Sequence, residues 1–273
     1  MSAPTTISRA LASSGLVPFE AKLLLSHVLG RDRAWIGAHA DETISAAQAT
    51  TFDALARRRR NGEPVAYLVG RREFYGLDLA ITPDVLIPRP ETELLVDLAL
   101  ARLPADRSAR VLDLGTGSGA VALAIARNRP AAHVVGTDIS GGALALAARN
   151  AVRLAIDNVA FLASDWFAAL GNERFDLIAG NPPYVAAGDS HLVEGDLRHE
   201  PPQALTPGGD GLNSIRAIVS KAPAHLMPRG WLLLEHGHDQ ADAVATLFLD
   251  AGFVDVGAAR DLAGILRVTH GRA

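Results

Sequence analysis

The chain contains no cysteine in 273 residues, which removes disulfides, thiolate metal sites and cysteine nucleophiles from consideration. It also lacks any apolar run approaching the roughly 20 residues needed to span a bilayer. Met1-Ser2-Ala3-Pro4-Thr5-Thr6 has neither the basic nor the apolar region of a secretory signal. The expected compartment is therefore the cytoplasm, with no membrane partner. Surplus positive charge is missing as well: 26 Lys and Arg against 30 Asp and Glu leave a net charge of −4. Nucleic-acid-binding domains are typically strongly basic, so no stable nucleic-acid partner is expected. His191, His199, His236 and His238 do not fall at the spacing of a zinc site, and no metal is expected.

The remainder is an ordinary globular composition, 49% apolar and 21% charged, long enough for one large domain or a main domain with a smaller companion. The one cationic run, Arg57-Arg58-Arg59-Arg60, ends a predicted helix, where positive charge suits the macrodipole. A solvated helix end is its ordinary meaning; an RNA or ribosome contact is the other.

Residues 5–70 carry helical periodicity. Leu23, Leu24, Leu25 and Val28 recur at helical spacing before Gly30 stops the run, and Ser45 is placed to cap a second helix reaching Asn61-Gly62. A small helical domain over residues 1–70 is the expectation. Residues 73–77 and 79–87 suggest a β-hairpin within a linker over 71–90. Pro88-Arg89-Pro90 closes it, and a helix follows from near Glu91. Over 91–273 strands and helices alternate, which implies an α/β domain with a mostly parallel sheet covered on both faces. The strands predicted over 253–256 and 265–269 lie too close for a helical crossover, so one of them is expected to be antiparallel.

The first strand-to-helix turn of this domain is Gly115-Thr116-Gly117-Ser118-Gly119. Glycines let the backbone turn tightly and approach a ligand without a Cβ in the way, and in doubly wound sheets the ligand crevice lies outside the carboxyl ends of the strands. Asp113 precedes the loop, placed to orient it or to face a cationic cofactor group. Asp138 ends the next strand, nineteen positions beyond Gly119, where an acidic residue commonly accepts hydrogen bonds from ribose hydroxyls. A nucleoside-containing cofactor is indicated. Asp165-Trp166-Phe167 follows the third strand, offering a carboxylate for an adenine amino group and an aromatic ring to flank the base; core packing is the other reading of Trp166.

Asn181-Pro182-Pro183-Tyr184 closes the apolar run over residues 175–180. Two successive prolines remove two backbone donors and fix φ near −65°, and they disfavour helix in the residue before each. The result is a stiff loop presenting carbonyl and Asn side-chain acceptors, suited to a planar nitrogen bearing two N–H bonds. Dinucleotide folds generally use Gly-x-Gly-x-x-Gly; this loop is Gly-x-Gly-x-Gly and holds no basic residue for phosphate. Together the two motifs resemble those of class I S-adenosylmethionine methyltransferases.

Further strings narrow the resemblance: Glu63-Pro64-Val65-Ala66-Tyr67-Leu68, Glu73-Phe74-Tyr75-Gly76-Leu77, Val85-Leu86-Ile87-Pro88-Arg89-Pro90-Glu91-Thr92-Glu93, Gly195-Asp196-Leu197-Arg198-His199-Glu200-Pro201, Asp210-Gly211-Leu212 and Glu235-His236-Gly237. In this order they look like the bacterial peptide chain release factor glutamine methyltransferases, the PrmC/HemK family. His199 departs from the pattern, standing where an aromatic is expected.

The resemblance implies a Rossmann-like, mostly parallel seven-stranded sheet with a helical N-terminal domain that grips the protein substrate. It implies S-adenosylmethionine as cofactor, held by Asp113, Gly115, Thr116, Gly117, Ser118, Gly119, Asp138, Asp165, Trp166 and Asn181. It implies methylation of the glutamine amide in the Gly-Gly-Gln motif of class 1 release factors, with the glutamine held by Asn181, Pro182, Pro183 and Tyr184. In the expected mechanism the Asn181 side-chain oxygen and the Pro182 carbonyl each accept one amide N–H, and Tyr184 stacks on the flat amide. Two other functions suit parts of the pattern: an amino methyltransferase acting on adenine or guanine, and a nicotinamide-dependent oxidoreductase.

Overall fold

The computed structural model describes residues 5–273; the first four residues of the opening stretch read above lie outside the described residues. The chain separates into two units, one ending at Arg71 and one running over Arg72–Ala273. No helix among the described residues is long and apolar enough to cross a membrane.

In the first unit, five helices follow from local signals: α1 (Ile7–Ser13), α2 (Pro18–Leu29), α3 (Arg33–Ala38), α4 (Ala46–Arg60) and α5 (Val65–Val69). Pro18 opens α2 and Gly30 closes it at φ 63°, the left-handed conformation that suits glycine. Ser45 caps α4 through a reciprocal capping box with Gln48. Ile7, Leu24, Leu25, Ile36 and Phe52 form this unit's own core. A two-residue pairing of β1 (Thr5–Thr6) with β2 (Thr43–Ile44) ties the start of the unit to the connection between α3 and α4, and no periodicity announces so short an element. The arginine run is largely spoken for: Arg58 pairs with Glu63, Arg59 with Glu20, and Arg60 donates to the Ser14 carbonyl.

The second unit begins within β3 (Arg71–Phe74), which is joined to β4 (Leu77–Ala80) by Tyr75-Gly76 with both residues at positive φ, as a type I′ turn requires. The second arm stops at Ala80 rather than reaching Ile87, since Pro83 cannot donate to a ladder. Pro90–Thr92 forms a 3₁₀ turn before α6 (Glu93–Arg102). Then come β5 (Arg110–Leu114), α7 (Ala120–Asn128), β6 (His133–Asp138), α8 (Gly141–Leu154), β7 (Val159–Ala163) and β8 (Phe175–Gly180). The series ends with α9 (Asn213–His225), β9 (Leu226–Glu235), α10 (Ala241–Asp250), β10 (Val254–Arg260) and β11 (Leu266–Arg272).

Seven strands pair in the order β10-β11-β9-β8-β5-β6-β7. Only β11 runs antiparallel to its neighbours, as expected of one of the two C-terminal strands. Central β5 buries Val111, Leu112 and Leu114, as a strand covered on both faces must. Helix α7 is buried from Ala120 to Ala126, its alanines letting it lie close to the sheet. Leu112, Ile178, Leu232, Leu234 and Phe248 belong to one apolar cluster.

Candidate active site

Strand register decides where the site forms. The chain passes from β5 outward to β6 and β7, then returns to place β8 on the other side of β5. Leu114 stands opposite both Gly180 and Thr137, and Asp138 opposite Ala163. The loops that begin at Gly115, Ile139, Ser164 and Asn181 therefore leave the same edge of the sheet, around the point where strand order reverses. Such a switch point is where open α/β sheets bind ligands. A cleft opens there, walled in part by Asp113, Gly115, Thr116, Gly117 and Ser118. Asp138, Asp165, Trp166, Asn181 and Pro183 complete this wall; Gly119, Pro182 and Tyr184 belong to the same loops but are not among its lining residues.

Inside the glycine loop, Gly115, Gly117 and Gly119 have φ of 70°, 54° and 84°. At Gly119 a Cβ would also crowd the Leu123 and Ala147 side chains at 3.0 and 3.2 Å, though it is the positive φ that calls for glycine there. The Thr116 N–H donates to the Thr137 carbonyl (2.8 Å) and the Gly117 N–H to Asp138 Oδ2 (2.9 Å). Asp113 Oδ2 accepts from the Thr116 hydroxyl (2.6 Å) and the Ala122 N–H (3.2 Å), pinning strand, loop and helix together. Burial raises the Asp113 carboxyl to about 7, against the pull of those two hydrogen bonds. Of its two expected roles, orienting the loop is the one its contacts serve.

Asp138 accepts a second backbone hydrogen bond, from Ser140 N–H to Oδ1 (2.9 Å). Each oxygen keeps a further lone pair toward the cleft for hydroxyl donors. Trp166 is held at φ 50°, a conformation that is strained for a bulky residue. The Ser164 hydroxyl stabilises it by donating to the Trp166 carbonyl (2.9 Å) and accepting from the Ala169 N–H (3.0 Å). The indole edge lies 3.7 Å from where a Gly115 Cβ would be. Phe167 turns the other way, into the core, stacked on His225.

On the acceptor loop, Asn181 Nδ2 donates to Thr92 Oγ1 (3.2 Å), and Oδ1 makes no hydrogen bond among the described residues. Pro182 is buried and Pro183 faces the cleft. Tyr184 corrects an expectation. Its ring packs against the core cluster and its hydroxyl donates to Glu235 Oε1 (3.2 Å), so it anchors the loop and does not stack over the cleft. Its carbonyl accepts from Gln240 Nε2 (3.0 Å), a second anchor. Burial raises the phenol well above its ordinary range, so Tyr184 stays a donor. Glu235, 1% exposed, is pushed up to about 7, chiefly by burial. Thr92, Tyr184 and Arg267 oppose that shift and Glu91 adds to it.

Thr92, Glu235, Arg89 and Glu200 carried no assigned role in the sequence, although each lies in a recognisable string. Glu200 is buried, ion-paired with Arg89, and accepts the Ile87 N–H (3.0 Å). Two strings more than a hundred residues apart are thereby tied at the rim; neither contains a signal of the other. His199, the unexpected histidine, is half-buried and accepts from Arg198 Nε (3.1 Å).

The cleft is acidic. Asp84, Asp113, Asp138 and Asp165 line it, and Arg89, the cation among its walls, is paired with Glu200. Such a lining disfavours a pyrophosphate and suits a cationic ligand carrying hydroxyls and a flat base, which S-adenosylmethionine is.

The model of the PrmC N-terminal domain matches residues 4–70, and that of the methyltransferase small domain matches residues 92–212. A release factor glutamine methyltransferase of Xylella fastidiosa is 52% identical over 96% of this chain and 96% of its own. One from Bordetella pertussis is 50% identical over 98% and 99%. Among solved structures, a methyltransferase from Pyrococcus furiosus shares the fold, with TM-score 0.55, 18% identity and coverage of 79% of this chain and 96% of that one. The chain belongs to the release factor glutamine methyltransferase family.

Proposed function

We propose that this enzyme transfers a methyl group from S-adenosylmethionine to the side-chain amide nitrogen of the glutamine in the Gly-Gly-Gln motif of class 1 release factors. The bound cofactor supplies an electrophilic methyl on a sulfonium centre. Gly115, Gly117, Asp138 and Trp166 would hold it, with the acidic lining favouring its positive charge.

An amide nitrogen is a weak nucleophile, so the chain's task is alignment and electrostatics. The observation that carries this reading is Asn181: it sits at the cleft with its N–H committed to Thr92 and its Oδ1 free of other partners among the described residues. That oxygen accepts one amide N–H of the substrate and the Pro182 carbonyl accepts the other, turning the nitrogen lone pair toward the methyl. The nitrogen gains a methyl and gives up one N–H proton, which leaves to solvent. The first unit, with its own core, serves as the grip on the release factor, and the reaction takes place in the cytoplasm.

Mass spectrometry of a release factor incubated with enzyme and cofactor tests this directly. One added methyl on the Gly-Gly-Gln glutamine is expected. Methyl incorporation into adenine or guanine of nucleic acid, with the release factor untouched, would move the substrate to the other amino-group class.

A further inference from the structure

The buried face of helix α8 is apolar except at Asn150, whose side chain is 0% exposed. Its amide meets three backbone groups. Oδ1 accepts from the Ala80 N–H (2.8 Å), and Nδ2 donates to the Ala80 carbonyl (3.0 Å) and the Ser118 carbonyl (3.0 Å). Both N–H bonds of the amide are thereby used, and its oxygen takes a donor. Ser118 belongs to the glycine loop and lines the cleft. Ala80 ends β4, and the segment it leads into lines the cleft at Asp84, Val85, Leu86 and Pro88. One side chain outside the cleft therefore holds two pieces of its wall.

What it holds in the loop is a single peptide. The Ser118 carbonyl goes to Asn150, and the Gly119 N–H of the same peptide goes to the Thr116 carbonyl (2.8 Å). The earlier N–H groups of the loop, those of Thr116 and Gly117, are taken by Thr137 and Asp138 of β6. Asn150 adds an anchor from α8. Only an amide suits the three groups it meets: Asp keeps an acceptor for Ala80 but has no N–H for either carbonyl, and Leu offers neither. A buried carbonyl deprived of its donor is costly, and relieving that cost means turning the Ser118 peptide out of its place in the loop.

We propose that Asn150 is a positioning residue for the cofactor, fixing the glycine loop through the Ser118 carbonyl and registering it against the wall segment that begins at Ala80. The proposal rests on the reading that the glycine loop holds S-adenosylmethionine.

Asn158 supplies an internal control. Its Nδ2 also donates to backbone carbonyls, those of Ala126 (3.1 Å), Arg129 (3.1 Å) and Ala132 (3.0 Å), but it precedes β7, at the end of the sheet away from the cleft. In calorimetric titration of the full chain with S-adenosylmethionine, Asn150→Asp and Asn150→Leu should each raise Kd roughly 10- to 100-fold. Asn158→Asp should lower the denaturant midpoint yet keep Kd within about twofold of wild type. At saturating cofactor, the Asn150 variants should keep KM for the release factor within about twofold. Coupling is reciprocal, so wild type gives a second readout that needs no variant to fold. In ¹⁵N-labelled protein, saturation with S-adenosylmethionine should slow exchange of the Asn150 side-chain N–H pair more than that of Asn158. An equal effect at the two amides overturns the proposal, as does an unchanged Kd in the Asn150 variants while Asp138→Ala weakens binding. If Asp138→Ala and both Asn150 variants all bind as wild type does, the cofactor is not held by this loop, and the proposal falls with that reading.

Discussion

Asn181 places two chemistries on one side chain: its nitrogen is spent on the scaffold and its oxygen is kept for the cleft. Removing the side chain should therefore separate rate from binding. Asn181→Ala should lower kcat by roughly 10²- to 10³-fold, the range for losing one preorganised polar group at a reacting centre. Cofactor affinity measured by calorimetry should change far less. Near-wild-type turnover would remove Asn181 from the mechanism. Asp138 has the opposite profile: its oxygens hold Gly117 and Ser140, so Asp138→Ala should weaken cofactor binding before it slows transfer, as titration of the variant would reveal. The types of these residues were readable from the chain because Gly, Asp and Asn-Pro-Pro each have a backbone reason for their place. Tyr184 was not, since an aromatic after two prolines can face either side of a loop. Its direction is decided by Glu235, 51 residues away.

Among elements, the acceptor loop is held by contacts from several directions. Gly211, at φ 84°, lies so close beneath it that a Cβ would stand 2.3 Å from the Tyr184 carbonyl and 3.1 Å from the Ala186 nitrogen. Backbone cannot yield there as a flexible side chain would. Gly211→Ala should push the loop out of place, lowering kcat while leaving cofactor binding nearly intact; retained turnover in that variant would show that the loop has slack. Strand and helix order was legible because strand-like and helical apolar runs alternate from about residue 91. The β1–β2 pairing was not, as two-residue strands have no period. The hairpin's second arm was overextended because its apolar run continues past Pro83, where pairing cannot.

For the whole molecule, burial of Asp113 and Glu235 ties stability to pH. Both folded-state values are raised to about 7, so the stability they contribute is present below the ordinary carboxylate range and is lost as pH rises through 7. His236 and His270 are lowered and act with the opposite sign, below their ordinary value of 6.5. Between pH 6.5 and 8.5 the carboxyls dominate. Denaturant midpoints should fall across that window, by roughly 1 kcal/mol for each carboxyl, and Glu235→Gln should flatten part of the slope. A midpoint that rises over the window would contradict the assignment. At the same scale, deleting residues 1–70 should raise KM for the release factor strongly and leave cofactor binding largely intact; an unchanged KM would take substrate recognition away from the first unit.

The pairing of Leu114 with Gly180 sets a distance as well as a place. The cofactor-side loop and the acceptor loop leave from adjacent strands, whose spacing in any sheet is about 4.8 Å and is held by the backbone ladder rather than by side chains. The strand ends from which both loops start are therefore set apart by a ruler made of peptide hydrogen bonds. Substitutions in the outer helices can shift stability up or down, yet they have no purchase on that ruler. Changes on the outer helices thus leave the starting separation of the two loops as the strand ladder sets it.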